Sequence, residues 1–441
     1  MRTTRWMRAV AVAGAMFVGF TAVPAVAAPV ADDFYTPPTG YGDTAPGTIL
    51  RSRPVQTAAL SLLPQKVKAW QLLYRTTSRS GVPMATVTTV LRPAGGAPRG
   101  LVSYQIAQDS SAAHCAPSHA IQAGNPIDGI TGNLEILLAD AAAGNGFAVS
   151  IPDYEGPGSQ FGAARQPGYA VLDGVRAAEQ FAELGLPGAS TPVGIWGYSG
   201  GSLASGWAAE LQPTYAPELA VRGAAVGGYV TDLAETAVKI NGGAASGLLP
   251  SVLPGVIRSD PAFGPLQDKY LTPAGRDLLA HSTTQCVAAN VLQYPFRNFD
   301  QYFTMPIREV FAQPDIREAL ATLNLGQRTP TAPLFVYHAV NDELVPIASS
   351  DQVVPRYCAA GTSVTYVRDL ISVHGSLAAT GAPAALGWLT EHLTGKPAPA
   401  GCSTNTVAST LLTPEALSQV PAFLIGVING FLNNPSFPHS A

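Results

Sequence analysis

The chain has 441 residues and a formal net charge of −4, with only 12% charged residues and 47% apolar ones. With no basic cluster, this balance excludes nucleic acid as a partner. The 44 glycines and 38 prolines stay below the roughly 25–30% combined share that marks disordered chains, so a large, loop-rich globular core with an inserted or appended subdomain is expected.

Arg2, Arg5 and Arg8 precede an uncharged apolar run from Ala9 to Val23, and Ala25-Val26-Ala27 follows as a small-x-small site. This is the pattern of a secretory signal peptide, residues 1–27, cleaved before Ala28. The run is shorter than the roughly 20 residues that span a bilayer, so the mature chain is expected to be secreted, extracellular and without a transmembrane anchor. Four cysteines, Cys115, Cys286, Cys358 and Cys402, all follow the cleavage site. An even number in an exported chain implies two disulfides, and spacing leaves all three pairings open. His114-Cys115 and His119 lie close together but lack metal-ligand spacing, so no metal is expected.

From Thr86 the chain alternates between strand and helix. Thr86–Leu91 is β-branched and ends before Pro93, and residues 100–107 and 146–152 are short apolar runs typical of buried strands. Leu134–Ala143 reads as helix, as does Tyr169–Leu184 through Val171, Val175, Ala178, Phe181 and Ala182. Strand 192–196 precedes a helix from Gly201 to Leu211; strands 333–339 and 363–367 precede a helix over Ala378–Leu393. Such alternation predicts an α/β fold with a mostly parallel sheet covered by helices on both faces.

Between Asp232 and Arg328 the rhythm stops. Turns at Gly242-Gly243, Pro250, Pro254, Pro261 and Pro265 separate short helical pieces such as Ile307–Leu320. The expected organisation is therefore a core in two parts, 28–231 and 329–408, with a helical cap insertion at 232–328. A C-terminal flap or tail covers 409–441. Within it Thr413 suits an N-cap and Pro414 the first turn, and Leu417, Val420, Leu424, Val427, Ile428 and Phe431 are expected to share one apolar face.

Gly197-Tyr198-Ser199-Gly200-Gly201 matches G-x-S-x-G between a strand and a helix. That context lifts a serine hydroxyl above the sheet and aims a helix N-terminus at developing negative charge. A serine nucleophile needs a base and the base an orienting carboxylate, in the order Ser, Asp/Glu, His at the ends of later strands. Asp342 and His374 stand there; Glu343 and Asp369 are rival acids, while His338 reads as a satisfied core histidine inside an apolar strand. His114, His119 and His281 precede or interrupt the sheet pattern, and His392 and His439 lie in a helix and in the tail. Gly200 N–H supplies one oxyanion donor, and the loop Gln108-Asp109-Ser110-Ser111 offers the second without identifying the residue.

Several stretches together resemble the secretory lipase family, the Candida lipase A type of α/β-hydrolase. They include Ala69–Thr77, Ala85–Leu91, Ser103–Gln105 followed by Asp109-Ser110, Cys115–Ser118, Pro152–Pro157 and the Ser199 elbow. The resemblance implies a triad of Ser199, Asp342 and His374, with Asp109 beside Gly200 at the oxyanion. It also implies disulfides Cys115–Cys286 and Cys358–Cys402, and an acyl tunnel in the cap. The implied activity is hydrolysis of acylglycerols and related esters, with no cofactor and a lipid or ester substrate met at an oil–water interface. A short-chain esterase, an acyltransferase on cell-envelope lipids, and a silent lipid-binding protein are the alternatives.

Overall fold

The computed structural model describes residues 32–124 and 130–432. The signal peptide with its cleavage site, and His439, lie outside them.

Strand β1 (Ile49–Val55) pairs antiparallel with β2 (Lys68–Thr77), which pairs antiparallel with β3 (Pro83–Arg92) in register from Lys68↔Arg92 to Thr77↔Pro83. Seven shorter strands follow: β4 (Leu101–Gln105), β5 (Ala148–Pro152), β6 (Val193–Tyr198), β7 (Val221–Gly227), β8 (Leu334–Ala339), β9 (Val364–Asp369) and β10 (Cys402–Val407). Across the sheet the order is β1-β2-β3-β5-β4-β6-β7-β8-β9-β10, with β3 antiparallel to β5 and every later pairing parallel. The four strands β4, β5, β6 and β8 are fully buried, as strands covered on both faces must be.

Helices bury their apolar stripes against each face. On one side α2 (Gln166–Gln180) and α3 (Gly200–Tyr215) bring Val171, Val175, Leu203 and Trp207 against Ile195 and Val226. On the other, α1 (Ile130–Gly144) and α7 (Ala382–Leu393) bring Ile136, Ala139, Leu386 and Leu389 against Val102, Trp196 and Phe335. The alternation around Ser199 therefore produced the expected architecture: an α/β-hydrolase sheet, mostly parallel, with helices on both faces.

Four strands lay outside the sequence expectation. β7 carries Gly223-Ala224-Ala225, weak strand formers whose small size admits the Trp388 ring of α7. β10 is polar and mostly exposed, held on the sheet by β9 and by the Cys358–Cys402 disulfide. β1 and β2 form the antiparallel edge. The helix expected over Ala378–Leu393 divides at Gly381 into α6 (His374–Thr380) and α7, two residues before Pro383, which has no N–H to continue the ladder; the Tyr337 ring lies where a side chain at 381 would stand. The piece at Ile307–Leu320 likewise divides before Pro314, which has no N–H to continue the ladder.

Between β7 and β8 the chain is helical, and α4 (Leu248–Ser259) lies over the carboxyl ends of the strands. Disulfide Cys115–Cys286 ties this segment to the loop after β4. Disulfide Cys358–Cys402 links the end of α5 (Ile347–Ala359) to the start of β10; closing 44 residues contributes about 4 kcal/mol on the chain-entropy account.

The C-terminal helix α8 (Pro414–Leu432) corrects the expectation for its apolar face. Leu417, Leu424 and Ile428 point to solvent, together with Ile425 and Leu432, while Ala416, Gly426, Asn429 and Gly430 are buried. Docking combines a close backbone crossing with packing of Phe423, Val427 and Phe431, the last two from the expected face: a Cβ at Gly426 would meet Ala141 of α1, and one at Gly430 would meet the Asp140 side chain. Gly426→Leu should therefore release α8, lowering the melting temperature by several degrees and exposing the segment after Ala408 to limited proteolysis. An unchanged digestion pattern would argue against this docking mode.

Candidate active site

Ser199 sits in the turn between β6 and α3 with φ of 53°, a left-handed conformation that few side chains adopt. The turn is enforced by close approaches. A Cβ at Gly197 would strike the Gly201 carbonyl, and one at Gly201 would strike the Gln105 carbonyl of β4. Ser205 Oγ donates to Gln105 Oε1 at 2.7 Å and Ser199 N–H donates to the Gly227 carbonyl at 2.9 Å, so strands on both sides anchor the elbow.

Asp342 follows β8 and His374 opens α6 after β9, both at the carboxyl ends of parallel strands. His374 Nε2 lies 2.8 Å from Ser199 Oγ and Nδ1 lies 2.8 Å from Asp342 Oδ2. The other oxygen, Asp342 Oδ1, accepts backbone N–H groups of Leu344 at 2.9 Å and Val345 at 2.7 Å. Burial pushes the Asp342 carboxyl upward, but hydrogen bonds from His338 and His374 outweigh it and hold the group well below the usual carboxylate range. It is thus an anion at neutral pH. His374 is fixed from its backbone as well: Glu343 accepts its N–H at 2.8 Å and the Tyr198 hydroxyl donates to its carbonyl at 2.5 Å.

Asp109 also has positive φ, 45°, and its carboxyl occupies the space a Cβ on Gly200 would need. Its carbonyl accepts Ser251 Oγ of α4 at 2.7 Å, and Ser111 N–H donates to the Ser251 carbonyl at 2.9 Å. The loop after β4 is therefore gripped from above by the helical segment. Burial raises the Asp109 carboxyl to about 6, with His374 opposing the rise. Three more carboxyls lie nearby, Asp153 and Glu155 buried and Glu135 half-buried. Burial lifts Asp153 to about 7 and Glu135 to about 8, and it raises Glu155 strongly, with Asp109 adding to that effect. Asp153 accepts Ser118 N–H and Oγ at 2.8 and 2.5 Å, joining the Cys115–Ser118 and Pro152–Pro157 stretches.

The rivals fall elsewhere. Asp369 accepts the N–H groups of Ile371, Ser372 and Thr410 and shapes the turn that leads to His374. His119 stacks on Tyr35, His392 bonds the Trp388 carbonyl, and His281 lies beside Gln285 on the surface. His338 is buried and hydrogen-bonded as a core histidine should be, yet one of its contacts is Asp342 itself, at 3.3 Å. The four-residue spacing of His338 and Asp342 was visible in the sequence; that the strand ends between them and turns the carboxylate back was not.

Ser199 opens onto an apolar cavity under the helical segment, lined by Phe161, Leu233, Ile240, Leu249, Val256 and Phe311 among others. Among the described residues Asp109 is the sole ionisable one in that lining. The sheet, the elbow and this site together define an α/β-hydrolase. The profile of the secretory lipase family matches residues 121–401, and the chain belongs to that family.

Lipase A of Arthroderma benhamiae is 38% identical over 420 residues, covering 93% of this chain and 89% of that protein. A probable inactive lipase of Mycobacterium tuberculosis is 41% identical over 372 residues, covering 84% and 83%. The X-ray structure of Candida antarctica lipase A in its closed state matches with a TM-score of 0.81 and 28% identity, over 90% of this chain and 94% of that one.

The raised carboxyls predict an unusual pH dependence of stability. A group that holds its proton more tightly folded than unfolded contributes fully below the ordinary carboxylate range, and that contribution is lost as pH rises through the folded value. The melting temperature should therefore fall from about pH 4, where these carboxyls ionise in the unfolded chain, to about pH 8, with the contributions of Asp109, Asp153 and Glu135 exhausted in turn. Glu135→Gln should flatten the upper part of that fall; a curve parallel to the wild type would show that Glu135 does not contribute to it.

Proposed function

We propose that the chain is a secreted serine ester hydrolase that cleaves acylglycerols and related carboxylic esters through an acyl-enzyme at Ser199. The observation that carries this reading is the hydrogen-bonded chain Ser199–His374–Asp342, with both links at 2.8 Å, at the mouth of an apolar cavity. His374 takes the Ser199 proton as the hydroxyl attacks the ester carbonyl, and the Asp342 carboxylate stabilises the imidazolium. The oxyanion forms beside Gly200 N–H at the start of α3 and beside Asp109. His374 then protonates the leaving alcohol and activates the water that releases the acid.

In this reading the helices of 232–328 are a cap that encloses the acyl chain over a core of 28–231 and 329–408. Residues 409–441 form the flap, whose outward stripe from Leu417 to Leu432 meets an oil–water interface. The apolar lining favours neutral aliphatic acyl groups. Two disulfides, the secretory family and the leader, with three arginines before an uncharged apolar run, support an extracellular setting.

Ser199→Ala should abolish hydrolysis of p-nitrophenyl esters while leaving thermal unfolding nearly unchanged; retained hydrolysis would refute the assignment. The relative described as inactive gives substance to a second reading, a silent lipid-binding protein on the same fold. Fluorophosphonate labelling of the wild type decides between them, because only an activated serine reacts. The cavity yields a substrate test as well. Leu249→Trp should cut kcat/KM for long-chain esters by roughly tenfold or more and spare the acetate, whereas equal losses would place the acyl chain elsewhere.

A further inference from the structure

His338 has contacts that a purely structural histidine does not need. Its ring is fully buried in β8, four residues before Asp342. Nε2 faces two groups, Val345 carbonyl at 3.2 Å and Asp342 Oδ2 at 3.3 Å. Neither a carbonyl nor a carboxylate can donate, so Nε2 must carry the proton. In the neutral ring Nδ1 is then an acceptor, and Ser350 Oγ lies 2.8 Å away to donate to it. Ser350 also approaches the Tyr229 carbonyl, at the longer distance of 3.3 Å.

We propose that His338 is a positioning residue for the reaction at Ser199: its Nε2–H holds Asp342 Oδ2 in line with His374. The proposal rests on the hydrolase reading of the site. Asp342 Oδ2 thus has two imidazole donors, His374 Nδ1 and His338 Nε2, while Oδ1 is taken up by two backbone N–H groups. Together the four contacts fix the plane of the carboxylate. The second donor also withdraws part of the carboxylate's basicity, which tempers how strongly Asp342 retains a proton on His374. The arrangement lies under α5, whose Ser350 hydroxyl holds the other ring nitrogen, so a helix outside the active site braces the ring. Other titratable groups around the pair are Glu343 at the His374 N–H, Asp109 across the site, and Tyr198, Tyr337 and Glu135 beneath it. Among the described residues none of these five hydrogen-bonds to Asp342 Oδ2, so the effect assigned to His338 is separable from theirs.

Protein labelled with 15N-histidine gives a readout independent of activity. The His338 signal, identified by its loss in His338→Gln, should show a proton on Nε2; a ring with its proton on Nδ1 alone would overturn the proposal. The pH profile of kcat/KM supplies the functional half. His338→Phe removes the donor and should move the acid limb to higher pH by about half a unit, with kcat reduced about tenfold and KM little changed. His338→Gln, which keeps an N–H at that reach, should restore both to within about threefold of wild type.

Ser350→Ala leaves the ring in place without its brace and should show the same displacement to a smaller extent, so the proposal stays testable if the phenylalanine variant fails to fold. Profiles in Ser350→Ala and in folded His338→Phe that coincide with wild type would sink it. Activity that survives Ser199→Ala would instead refute the hydrolase reading, and the tautomer measurement would still judge the contact.

Discussion

The site is built on one close approach: the carbonyl of Gln105, at the end of β4, lies where any side chain at position 201 would have to go. Because Gly201 yields that space, the first turn of α3 settles directly against the sheet and the chain must reverse sharply at Ser199. The positive φ there is the cost of the reversal, and hydrogen bonds from Ser199 N–H to Gly227 and from Ser205 to Gln105 offset it. Once the elbow is fixed, the remaining groups need only the parallel sheet. β8 and β9 end at the same level, and Asp342 and His374 emerge beside each other from adjacent strands.

Most of this was legible because the relevant signals are local. G-x-S-x-G between an apolar strand and a helix, and an acid and a histidine after later strands in the required order, each depend on a few neighbouring residues. What escaped notice depends on contacts between distant segments. Gly223-Ala224-Ala225 looks like poor strand material until Trp388 covers it. The outward stripe of α8 looks like a packing face until Gly426 and Gly430 are seen to take that role. Asp109 could be named only through the family resemblance, since nothing in Gln108–Ser111 distinguishes one residue from the next. The second imidazole on Asp342 needed the turn after Ala339, which no propensity describes.

Electrostatically the site divides into two environments. Asp342 is buried but supplied with four donors and stays ionised. Asp109, Glu155, Asp153 and Glu135 are buried with fewer compensating partners and hold their protons more firmly. Two carboxyls on opposite sides of His374 are thereby given opposite character by donor supply. An anion on the Asp342 side stabilises an imidazolium.

The hydrogen bonds between Ser251 and the loop of Asp109 and Ser111 bear on how this architecture can diversify. The helical insertion supplies the apolar lining and also grips the backbone beside the nucleophile. It is therefore not a detachable module: a segment exchanged from a relative would bring new side chains to the cavity and at the same time loosen the loop below it. Variation in the lining is freest at positions such as Leu249 and Val256, whose apolar side chains touch the cavity and form no hydrogen bond to that loop. Around Ser251, inheritance of shape and inheritance of chemistry are coupled, and drift in one is constrained by the other.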